Sequence, residues 1–130
     1  MKILALDLGE KRIGVAFVES GVVSSLDTIV YTNREEAINK ISEICRQLEI
    51  EKMVIGMPIG NDKSEDVVRS FALELNKIIE LPIEYTDESL TSKEAERILK
   101  EQKINPRTEE YRQEVDRLSA KMILEQYLNK

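Results

Sequence analysis

The sequence predicts an α/β fold: a mixed five-stranded sheet, built from a three-stranded meander and two parallel strands, with helices flanking it. Three observations carry this expectation. β-type runs fill the first third of the chain, and helical and strand-like patterns alternate from there on. The 130 residues suffice for one hydrophobic core, so residues 1–130 are expected to form a single domain. Strands joined by short turns pair antiparallel, whereas strands fed by crossover helices pair parallel.

Ile3 to Leu8 is an almost unbroken apolar run, the pattern of a central strand covered on both faces. Gly9 breaks it, Arg12 to Val18 is a second β-rich run, and the short spacing predicts a hairpin. Gly21 precedes a third strand over Val23 to Tyr31. Asn33, with Glu36 three residues on, caps a helix whose Ile38, Ile41, Cys45 and Leu48 recur at helical spacing. Lys52 to Met57 is a short β-run stopped by Pro58, and Gly60 to Ser64 reads as a polar loop. Val67, Val68, Phe71, Ala72, Leu75, Ile78 and Ile79 define a second amphipathic helix. Pro82 separates it from a fifth strand, Ile83 to Thr86. Thr91 and Glu94 form a capping-box pattern for a helix through Glu101, and after Asn105-Pro106 a last helix runs from Thr108 to Leu128.

Composition narrows the chemistry. No apolar run is long enough to cross a bilayer, and no signal peptide is recognised, so no membrane partner and a cytoplasmic location are expected. A single cysteine, Cys45, excludes an internal disulfide, and the absence of histidine removes imidazole bases and ligands. Catalysis would rest on carboxylates, hydroxyls, amines or hard cations. The net charge of −6 argues against nonspecific nucleic-acid binding over the whole surface but permits locally positive contacts.

Three acidic positions stand out. Asp7 ends an apolar central strand beside Gly9, at the carboxyl edge where open α/β sheets hold ligands; the bland reading is a turn-forming Asp. Asp116 falls on the apolar stripe of the last helix, with Ser119, Ala120, Ile123 and Tyr127. An unpaired carboxylate there is costly, so a structural ion pair, with Arg112 one turn earlier, is the competing explanation. Asp87-Glu88 ends the fifth strand, where a solvated strand end is the ordinary reading. Brought together, these acids could not all stay ionised without a cation. Oxygen-only ligands select Mg²⁺ or Mn²⁺, which suit attack of activated water on a phosphodiester. Lys11 and Arg12, in the hairpin after Asp7, are placed to hold substrate phosphate, although such a pair is most often a solvated turn. Ser64, Lys63 and Arg69, near the helix after Pro58, could add phosphate contacts, a weaker signal because many helix starts look alike.

These segments resemble the YqgF/RuvX family. LALDLGEKRIGVAFVE (residues 4–19), VIGMPIG (54–60), YTDESLTSKEAERIL (85–99) and EVDRLSAKMILEQYL (114–128) follow the family's order over nearly the whole chain. The resemblance implies a ribonuclease H-like fold related to the bacterial Holliday junction resolvases. It also implies a cytoplasmic role in trimming the 5′ end of the 16S rRNA precursor, some members being described as junction resolvases. By matching motifs, Asp7 takes the first-strand acid, Glu88 the acid of the family's Asp-Glu-Arg block, and Asp116 the last-helix acid. Two positions depart: Ser89 stands where the family usually has Arg, removing a cation near the site, and Ser119 interrupts the usual Ala-Ala after the helix Asp.

Two other functions compete. An Asp-Leu-Gly turn before a hairpin also opens nucleotide-binding hexokinase-like and actin-like domains, but those work as pairs, and their turns carry more Gly and Thr than Glu10-Lys11-Arg12. A noncatalytic RNA-binding module is the third reading. Aromatic residues make up 5% of the chain, so backbone and shape recognition of structured precursor rRNA or branched DNA is expected to outweigh base stacking. The sequence leaves a possible homodimer open.

Overall fold

The computed structural model describes residues 1–87, 91–102 and 107–129, with side chains from 94 onward in the second of these segments. Among the described residues six strands form one sheet: β1 (Ile3–Leu8), β2 (Arg12–Glu19), β3 (Val22–Ser25), β4 (Ile29–Val30), β5 (Lys52–Met57) and β6 (Ile83–Asp87). Four helices accompany them: α1 (Arg34–Leu48), α2 (Asp62–Ile78), α3 (Thr91–Glu101) and α4 (Glu109–Leu128). The strand order is β3-β2-β1-β5-β6, with β4 paired to the start of β2. β1, β2 and β3 form the antiparallel meander, and β5 and β6 extend it in parallel.

The third strand of the meander differs from the sequence expectation because it is broken in two. Ser25 pairs with Ala16 and Ile29 with Ile13, so four steps along this strand oppose three along β2. The surplus residue is accommodated as a bulge would be. Leu26 N–H still donates to Val15 O at 2.9 Å, and Thr28 Oγ1 turns out to Gln113 O at 3.3 Å. α2 also starts earlier than its apolar pattern suggests. The Asn61 side chain caps it by accepting from Ser64 N–H at 3.0 Å, so Asp62, Lys63 and Ser64 form a first helical turn and not a loop.

Side-chain alternation along β1 sorts the core into two layers. Leu4 and Leu6, with Ile13 and Val15 of β2, pack beneath α1 and α2 against Ile38, Ile41, Phe71 and Leu75. Ile3 and Ala5, with Ala16, Val18 and Val54, meet Ala120, Ile123 and Leu124 of α4 on the other face. Asp7 continues the second set. At the far end of α4, Tyr127 accepts from Lys52 Nζ at 3.0 Å and donates to Glu84, fixing the helix to the sheet. Among the described residues no helix is long and apolar enough to cross a membrane.

Small residues let α4 lie close to the strands. A Cβ built on Gly14 would sit 2.0 Å from the backbone oxygen of Asp116, so glycine is needed for the helix to touch β2 there. Gly14→Ala is therefore expected to push α4 away and destabilise the protein by about 1–3 kcal/mol. Denaturant unfolding of the variant checks this, and an unchanged midpoint would mean that α4 does not rest on β2.

Candidate active site

Two of the acids that the sequence singles out, Asp7 and Asp116, meet at the carboxyl edge of β1. In the β1–β2 register Asp7 lies opposite Gly14. Directly opposed residues of an antiparallel pair project to one face, about 5 Å apart at Cβ. Gly14 in turn abuts the backbone of Asp116. Asp7 and Asp116, far apart in sequence, therefore share the α4 face at one corner of the sheet.

Arg12 belongs to the same corner. It lies two residues before Gly14 on β2 and so projects to the same face. Its Nε donates to Asp116 Oδ2 at 2.8 Å, with both side chains less than a third exposed. Burial pushes the Asp116 carboxyl above the ordinary aspartate range, the Arg12 hydrogen bond and charge oppose that rise, and Glu109 adds to it. Arg112, the partner considered from sequence, instead lies 3.8 Å from Glu109. The residue expected to grip phosphate is thus the cation that neutralises the helix acid. Parity along β2 could have placed Arg12 on this face with Gly14, Ala16 and Val18, but its partner follows only from the contact between Gly14 and α4.

The remaining candidates divide. Lys11 is exposed in the β1–β2 turn, where its carbonyl accepts from Tyr31 N–H at 3.2 Å. Asp87 pairs in register with Met57, whose side chain belongs to the α1/α2 core, so alternation directs Asp87 away from the α4 face. Glu88 and Ser89 lie outside the described residues. Ser64 and Arg69 sit on α2, across the sheet from Asp116; the Arg69 guanidinium stands 5.6 Å from the Tyr85 ring centroid and 3.6 Å from Glu65. These two are not brought to the acids.

Thr86 Oγ1 and Ser119 Oγ are buried and have no hydrogen-bond partner among the described residues. Thr86 shares the strand face of Glu84, which meets Tyr127, and Ser119 follows Asp116 by one helical turn on the sheet-facing side. Sequence reading passed over Thr86 because a threonine in a strand is ordinary. Among the described residues the corner is thus lined by oxygen donors, with no nitrogen or sulfur ligand. That set suits Mg²⁺ or Mn²⁺, which need one or two carboxylates and complete their shell from water and phosphate. Among the described residues no group of three acids converges on one point.

Residues 1–130 match the family model described as RuvX, Holliday junction resolvase. A Syntrophus aciditrophicus protein, named as a proposed pre-16S rRNA nuclease, is 40% identical over 135 residues, covering 99% of this chain and 89% of that protein. A Thermosynechococcus vestitus protein of the same name is 34% identical, covering 99% and 88%. Among solved structures, T. thermophilus RuvC in complex with a Holliday junction substrate aligns with a TM-score of 0.57 at 14% identity, over 99% of this chain and 95% of that one. The fold is the ribonuclease H-like fold of RuvC.

Proposed function

The chain belongs to the RuvX (Holliday junction resolvase) family, and on that premise we propose that it is a cytoplasmic, metal-dependent nuclease that processes the 5′ end of the 16S rRNA precursor. The juxtaposition of Asp7 and Asp116 through Gly14 carries the reading. Two acids on one face at a sheet's carboxyl edge, one of them desolvated, make a place for a hard cation. Asp7 and Asp116 would hold it, with Glu88, assigned by the family motif, as the third ligand. When bound, a divalent ion supplies Lewis-acid activation of the phosphodiester and of the attacking water.

The chain's own residues do the rest. Arg12 holds Asp116 in place and neutralises it while no cation is bound, and its guanidinium turns to a phosphate oxygen when substrate binds. Lys11, exposed in the adjoining turn, adds a second phosphate contact. Ser64 and Arg69, across the sheet edge, serve nucleotides flanking the cleaved bond. Buried Ser119 and Thr86 line the floor on which the acids stand.

The family model's description favours a second reading, hydrolysis of branched DNA at Holliday junctions. Incubating the purified protein with a 16S precursor leader RNA and with four-way DNA junctions, in Mg²⁺, Mn²⁺ or EDTA, separates the two. The proposal expects RNA cleavage in either metal and none in EDTA; junction cleavage alone would transfer the function to DNA, and no cleavage of either would remove it.

A further inference from the structure

A pocket of about 440 Å³ opens on the α1/α2 face of the sheet, beginning at Leu8 and Gly9, the residues that follow Asp7. The β1–β2 turn, the start of α1 and the first turns of α2 enclose it. Its walls include Leu8, Val67 and Phe71, with Tyr31 beside them, and Glu10, Arg34 and Ser64 contribute the polar groups. Aromatic residues are sparse in this chain, yet two of them line this pocket. The volume falls within the range of about 300–1,000 Å³ found for small-molecule sites.

From this lining we propose that the pocket receives one unstacked nucleobase of the substrate strand. The inference rests on the nuclease reading above and adds a base-binding site to it. Four features select a base over a phosphate or a lipid chain. Arg34, the cation in the wall, is already matched by Glu74 at 3.2 Å, and Glu10 adds a negative charge, so the pocket offers no surplus positive charge for phosphate. The Arg34 guanidinium stands 5.7 Å from the ring centroid of buried Phe71, which backs it, so the guanidinium plane and half-buried Tyr31 offer the kind of surface on which bases stack. Tyr31 donates its hydroxyl hydrogen to Gly9 O, which holds its ring against the β1–β2 turn. Ser64 and Glu10 can meet the polar edge of a base, which an aliphatic ligand does not present.

Continuity with the acidic corner identifies whose base it is. Asp7 and Leu8 are consecutive in β1, and their side chains project to opposite faces. A strand whose phosphodiester lies at Asp7, and which crosses the edge over the β1–β2 turn, delivers an adjoining nucleotide to the pocket mouth. Ser64, separated from the acids by the sheet, then gains a place in substrate binding.

The test uses full-length Asp7→Asn protein in Mg²⁺ with short single-stranded RNAs, each carrying 2-aminopurine at one position, and matched RNAs with an abasic site there. Val67 is 55% exposed at the pocket rim, so Val67→Trp, added to Asp7→Asn, fills the mouth with little risk to folding. One register is expected to show a distinct 2-aminopurine fluorescence change and about tenfold weaker binding when abasic, because stacking one base is worth on the order of tenfold in affinity. Val67→Trp should weaken binding of the intact RNA by about the same factor and leave the abasic RNA unaffected. The abasic comparison needs no pocket variant and stands even if Val67→Trp misfolds. RNA binding that is indifferent to the abasic site at every register overturns the base site alone. Absence of binding to any of these RNAs also overturns the base site, while the nuclease reading stands or falls separately on the cleavage assay above.

Discussion

Asp7→Asn is expected to lower the rate of nucleic-acid cleavage by on the order of 10³-fold while changing substrate affinity only a few-fold. Lewis-acid activation contributes several kcal/mol to such reactions, and each 1.36 kcal/mol of lost transition-state stabilisation is about tenfold in rate. The substitution keeps the shape of the side chain but removes one of the two carboxylates at the corner formed by Asp7, Gly14 and Asp116. Binding should survive because an amide repels phosphate less than a carboxylate does. Single-turnover cleavage and equilibrium binding, measured on the same RNA, separate the two effects. Equal losses in both would make Asp7 a binding residue; cleavage close to the wild-type rate would leave it a turn-forming residue.

Asp116→Asn is expected to reduce cleavage on the order of 10²-fold and to leave stability in EDTA within about 1 kcal/mol of the wild type. The pairing with Arg12 gives this variant two competing outcomes. Were the pair structural, removing one partner would cost about 3–5 kcal/mol. Here the desolvated carboxylate is itself an unfavourable group, and the asparagine oxygen can still accept from Arg12. The pH dependence separates the two. Because burial raises the native pKa of Asp116 above its unfolded value, the folded state takes up the proton first as pH falls. The folded protein then binds more protons than the unfolded chain between the ordinary aspartate range and the raised value. Across that window the stability of the wild type relative to Asp116→Asn should fall as pH rises. Arg12→Ala should act differently, raising Mn²⁺ affinity by removing a competing cation while weakening RNA binding. If Arg12 also meets a phosphate, the log–log salt slope drops by about 0.7. Thermal unfolding in EDTA across this pH range decides the role of Asp116: a loss of several kcal/mol in Asp116→Asn would assign it to the fold.

Much of this arrangement was legible in the chain because strand periodicity and helix spacing are local signals. The unbroken apolar run of β1 identified the central strand, and Asp7 near its end pointed to the edge at which the site is proposed. The apolar stripe of α4 made Asp116 conspicuous. What escaped depends on registers between distant segments. The pairing of Arg12 with Asp116 follows from β2 parity together with the contact between Gly14 and α4, and no spacing within α4 could reveal it; Arg112 was merely the nearest cation in sequence. The division of the third strand at Leu26 to Thr28 depends on one surplus residue against β2, which composition does not encode. Ser64 and Arg69 looked like neighbours of the acids because α2 starts at the same sheet edge, but α2 packs on the opposite face.

Asp7 and Asp116 are proposed to hold one divalent cation at this edge. Anomalous difference density from Mn²⁺, in crystals of the wild-type protein grown with a non-hydrolysable substrate RNA, tests this most directly. The expected result is a peak about 2 Å from a carboxylate oxygen of each acid, with Arg12 withdrawn from Asp116 toward phosphate. RNA bound across the edge with no peak there, or with the Arg12–Asp116 contact intact and manganese elsewhere, would contradict it.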